Sequence, residues 1–76
     1  MNKARRKAIE NISDKLMELQ ADLAWVAEEE EEARDNMPES MEGSDRYTES
    51  EEASQAMEDA DGAIMEAISY LSDIII

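Results

Sequence analysis

The side chains that could do chemistry are almost all carboxylates. Five stand in a row, Glu28 to Glu32, and Glu49, Glu51 and Glu52 follow after a break. Paired carboxylates can move protons, but only where a shielded pocket shifts a pKa. Neither group shows a sign of such a pocket. The chain has no His and no Cys. Imidazole acid–base chemistry, Cys or His nucleophiles, thiolate zinc sites and disulfides are therefore excluded. The Ser hydroxyls have no activating base, and Lys3, Lys7 and Lys15 lie near a charged, exposed helix start. Asp59-Ala60-Asp61-Gly62 is the nearest approach to a calcium loop. That loop needs a further acid where Met57 stands and a Glu where Ile68 stands. A di-iron bundle needs Glu-x-x-His ligands. The expectation is no enzyme, no catalytic residue, no metal and no cofactor.

Charge limits the partners. With 21 acidic and 7 basic side chains in 76 residues, the net charge is −14. Affinity for phosphates comes mainly from Lys and Arg, so duplex nucleic acid is not expected as a ligand. The charge is also uneven. Residues 1–27 carry net +1, residues 28–52 carry net −10, and residues 53–76 hold five acids and no base. Ile, Leu, Val and Phe make only 12 of 76 residues, a composition that leans toward disorder. No cleavable signal is expected, because MNKARRK has no apolar run after it. Apolar runs such as Ile74-Ile75-Ile76 are far short of a membrane span, and a cytoplasmic protein is expected.

Periodicity opposes disorder. Ile9, Ile12, Leu16, Leu19, Leu23 and Val26 follow a 3-4 rhythm, a heptad seam that predicts one buried stripe on a first helix over 2–36. Asn2 suits its N-cap, and Pro38 disfavours a helical Met37. The hinge is expected over 37–44, with Pro38 opening a short helical turn and Gly43 its left-handed exit. A second helix over 45–75 repeats the rhythm through Ala53, Met57, Ala60, Ile64, Ala67, Leu71 and Ile74, widened by Ile68 and Ile75. Ser44 is its favoured cap, ahead of Thr48. Gly62 inside the pattern suggests close backbone packing. The fold class is all-α: an antiparallel two-helix hairpin, coiled-coil-like. So small a hairpin has little core, and no metal or disulfide staple is in view. Self-association is expected, as a homodimeric four-helix bundle or a higher helical oligomer.

In such a hairpin Glu28 to Glu32, Glu49, Glu51 and Glu52 gather at the hinge end. The helix dipole disfavours anions at the end of the first helix by roughly 0.3–1 kcal/mol each, and Glu30 or Glu31 paired with Arg34 offsets little of this. A solvated, solubilising face is one reading of the run. The other is a carboxylate array that imitates phosphates before a basic protein. Trp25 falls off the seam with Met17, Ala21 and Ala24. It serves either packing in the oligomer or as an anchor for a partner. Lys3, Arg5, Arg6 and Lys7 either balance the acidic bulk or hold a phosphate. Asn36, Met37 and Pro38, with Arg46 and Tyr47, supply hinge contacts or a ligand site.

The stretch EEEEARDNMPESMEGSDRYTESEEA, followed by MEDADGAIMEAISYL, resembles small acidic helical proteins encoded in bacteriophages, prophages and mobile elements of Gram-positive and gut bacteria. The resemblance covers nearly the whole chain from NKARRKAIENI. Its most specific part is Asp35 to Ser40 with Ser44 to Tyr47. It implies a phage or mobile-element origin and a bacterial host cell; no established activity belongs to that group. Small acidic phage proteins include anti-CRISPR and anti-restriction factors that occupy the DNA-binding surfaces of host nucleases. Other compact helical oligomers sequester nucleotide immune signals. The first expectation is a non-enzymatic accessory protein that blocks a host protein, such as a defence nuclease, through its acidic surface. The alternatives are an oligomeric sponge for a small nucleotide and a purely structural helical oligomer.

Overall fold

In the computed structural model, which describes residues 1–75, Asn2 starts the first helix. Its backbone is extended (φ −78°, ψ 166°), and its Oδ1 accepts from the Arg5 N–H at 2.8 Å. One of the otherwise unpaired amides at the helix start is satisfied this way. Helix α1 (Lys3–Asp35) runs 33 residues, about 50 Å at 1.5 Å per residue. Met37, ahead of Pro38, leaves the helix with its N–H bonded to the Arg34 carbonyl.

A single 3₁₀ turn, Glu39–Met41, follows Pro38. The Met41 N–H donates to the Pro38 carbonyl at 2.9 Å, and the Ser44 N–H to Met41 at 3.0 Å. Gly43 takes the positive φ of 85° that lets the chain leave this turn. Helix α2 (Asp45–Ile75) begins at Ser44, whose Oγ accepts from the Tyr47 N–H at 3.2 Å. Asp45 in its first turn complements the helix dipole.

The two helices pack antiparallel into a rod of 59 × 15 × 14 Å. Its radius of gyration is 17.4 Å, against about 11 Å for a compact chain of this length. Among the described residues all regular structure is helical, and no helix is long and apolar enough to cross a membrane.

The seam between the helices differs from the one the spacing predicts. Ile9, Leu16 and Leu23 do turn inward and are half-buried, but Ser13, Gln20, Ala27 and Arg34 alternate with them. Ile12, Leu19 and Val26, expected on the buried stripe, are 51%, 58% and 47% exposed. On α2, Met57, Ile64 and Leu71 turn inward with Ser50, Ser54, Asp61, Ile68 and Ile75. Ala53, Ala60 and Ile74 remain exposed. The physical reason is width. The apolar stripe of each helix is broader than one neighbouring helix can cover, so the hairpin takes one edge and leaves the other. Among the described residues no hydrophobic residue is buried; the buried side chains are Ser13 and Ser50, both 4% exposed. Small hydroxyl side chains there let the backbones approach without a void. Gly62, by contrast, has no atom within 4 Å of where a Cβ would lie, so close packing within the hairpin does not explain it.

Candidate functional site

The carboxylates gather at the hinge end. Glu28, Glu29, Glu31 and Glu32 are exposed on the last two turns of α1, and Glu30 is half-buried beside the seam. Glu49, Glu51 and Glu52 are exposed on the first turns of α2, facing the same end of the rod. Among the described residues the one ion pair is Lys7 with Glu10, 3.8 Å apart, at the opposite end. No cation within 4 Å neutralises the hinge-end carboxylates.

Arg34 was the expected partner for Glu30 or Glu31, and it goes elsewhere. Its Nη1 donates to Ser54 Oγ at 2.7 Å, to the Ser50 carbonyl at 3.1 Å and to Ser50 Oγ at 3.2 Å. The helix spacing that recommended Glu30 also turns Arg34 toward α2. There one guanidinium nitrogen finds two hydroxyls and a carbonyl one turn apart. Neither Ser50 nor Ser54 signals an interaction alone. The readable signal was their spacing of four on the inward row opposite an Arg.

Trp25 is 62% exposed on the side of α1 away from α2. Helical spacing sets Glu28 and Glu29 one turn above it and Glu32 two turns above it. An open aromatic surface and three carboxylates thus share one face. Met17, expected on the same strip, is 49% exposed and lies nearer the opposite groove. That groove, open and of about 450 Å³, runs between the helices along Leu23, Ala27, Arg34, Met57 and Asp61. A groove so open stays wet, unlike the enclosed apolar sites that bind small ligands tightly.

The hinge residues divide. Asn36, Pro38 and Arg46 are exposed, while Met37 and Tyr47 are half-buried against the helix ends. Lys3, Arg5, Arg6 and Lys7 are exposed at the other end of the 59 Å rod. One protomer therefore does not bring Arg46 and Tyr47 together with the basic start. Among the described residues, no group of three His, Cys, Asp or Glu side chains is arranged to hold a metal ion. Comparison with protein families, curated proteins and solved structures finds no match to this chain.

Proposed function

We propose that this chain is a non-enzymatic, self-associating accessory protein of phage type that blocks a basic surface on a host protein in the bacterial cytoplasm. The DNA-binding face of a defence nuclease is the first target to try. The observation that carries this reading is Trp25, 62% exposed, on one face with Glu28, Glu29 and Glu32, none of them neutralised. A Trp among carboxylates combines an apolar anchor with a charge pattern that attracts Lys and Arg. Glu32, in the last turn of α1, also sits where the helix dipole opposes it, and the like charges of Glu28 to Glu32 repel at helical spacings of three and four. A sequence that keeps them there gives up local stability, and such sites are where function is expected. Self-association is supported by the unburied apolar rows of both helices. They form the face of a homodimeric four-helix bundle.

The test is capture of host proteins on immobilised wild type, a Glu28→Gln/Glu29→Gln/Glu32→Gln variant and Trp25→Ala. The expected result is a basic host protein held by the wild type and lost from both variants. A host protein held equally by all three sinks the proposal.

A further inference from the structure

Ile12, Leu19 and Val26 make a heptad row on α1, and Ala60, the half-buried Ala67 and Ile74 make one on α2. Each row lies about 60° around its helix from the inward row, and in the same rotational sense. Because the helices run antiparallel, both rows emerge on the same side of the hairpin. The Arg34 contact with Ser50 and Ser54 fixes the register. Counting back from it sets Val26 level with Ala60, Leu19 with Ala67 and Ile12 with Ile74. The two rows therefore form one continuous apolar face, on the side opposite the open groove.

The uncovered area is large. The protomer exposes 5872 Å², whereas a compact protein of 8.6 kDa exposes about 4,700 Å². That excess belongs to the rod as a whole; one side of it, 59 Å long and 15 Å wide, offers about 890 Å² in projection, against the roughly 800 Å² that each partner gives to a standard interface. We infer that a second copy of this chain covers this face, with its hinge beside the open end of the first. The inference rests on the self-association reading above and adds the face and the orientation. Charge repulsion chooses the orientation. The hinge half, residues 23–63, holds fifteen acidic and two basic side chains; the open half holds six and five. Hinge beside hinge would set −13 against −13, much of it within a Debye length of about 8 Å. Hinge beside open end sets −13 against −1. Leu19 is also the midpoint of α1, Lys3–Asp35. A two-fold axis at that level overlaps the rods fully and lays Ile12 against Val26 of the partner subunit.

The chain has no Cys, so Glu42→Cys carries one spin label per protomer at the hinge. Double electron–electron resonance is expected to give a separation near the 59 Å rod length. Sedimentation of wild type, Leu19→Glu and Met17→Glu locates the face. The expected result is a dimer for wild type and Met17→Glu, and for Leu19→Glu a monomer or an unfolded chain. A monomeric wild type overturns self-association itself. A dimer that survives Leu19→Glu and is lost in Met17→Glu overturns the face alone. Hinge labels about 20 Å apart, two interaxial spacings, overturn the orientation.

Discussion

Arg34 Nη1 lies 2.7 Å from Ser54 Oγ, and its three bonds to Ser50 and Ser54 are the only hydrogen bonds that join α1 to α2 among the described residues. Apolar contact between the helices is permissive, since Ile, Leu and Met slide past one another at little cost. A single guanidinium nitrogen, Nη1, held by two hydroxyls and a carbonyl sets one register. Arg34→Met should cost about 1–2 kcal/mol, given that bonds to charged groups are worth up to about 3 and the site is half open. At fixed protein concentration this is a fall in Tm of roughly 4–8 °C per kcal/mol. Arg34→Lys should recover part of it, because one nitrogen makes all three bonds and an ammonium also carries three donors, though on a shorter side chain. Ser54→Ala should cost less than Arg34→Met. Equal Tm values for wild type and Arg34→Met would show that the Arg34 contact does not hold the register.

The two glycines should respond with opposite signs. Neither has an atom within 4 Å of an added Cβ, so only backbone conformation separates them. Gly62 sits inside α2 with helical geometry, and Gly62→Ala should stabilise by about 0.8–1 kcal/mol. Gly43 holds φ at 85°, where a side chain meets the carbonyl, and Gly43→Ala should destabilise by about 1 kcal/mol. Thermal melts of both variants check this. A loss of stability in Gly62→Ala would mean that a partner helix packs on that position.

Much of the fold was legible because its signals are local. Asn2, Pro38, Gly43 and Ser44 act through their own backbone geometry or a nearest amide, and the caps and turn stand where those residues place them. The 3-4 rhythm revealed two helices and a hairpin. What the rhythm cannot choose is which edge of a wide apolar stripe faces the neighbour. Ile12, Leu19 and Val26 look as buried as Ile9, Leu16 and Leu23 until the second helix is in place. The decision depends on Ser13, Gln20, Ser50 and Ser54, small or polar residues that no hydrophobic pattern highlights. The site divides in the same way. Glu28 to Glu32 were visible as a run, and spacing alone puts Glu28, Glu29 and Glu32 on the Trp25 face, but that this face is the exposed one needs the helix orientation.

Trp25→Ala separates a binding role from a packing role. The side chain points away from α2 and is 62% exposed, so truncation removes little from the hairpin. Ala is also the better helix former by a few tenths of a kcal/mol. The dimer and its Tm should be unchanged or slightly stronger. Affinity for a basic partner should fall by about 2 kcal/mol, roughly thirtyfold, if Trp25 is a hot spot. Calorimetric titration of the captured partner measures the second, and a melt measures the first. A large drop in Tm with unchanged partner affinity would place Trp25 in the oligomer core.

Salt should act on the two associations in opposite directions. Two copies that each carry −14 repel at long range whatever their orientation, and in the proposed dimer the apolar face holds them together. Screening shortens that repulsion from a Debye length of about 10 Å at 0.1 M to about 3 Å at 1 M and leaves the hydrophobic contact in place. Added NaCl should therefore tighten the dimer. A basic partner is drawn to Glu28, Glu29 and Glu32 by attraction of the same range, so added NaCl should loosen that complex and slow its formation. Sedimentation and stopped-flow binding across one salt series read both. A dimer that dissociates as salt rises would mean that ion pairs between the basic start and the hinge carboxylates, not the apolar face, hold the two copies together.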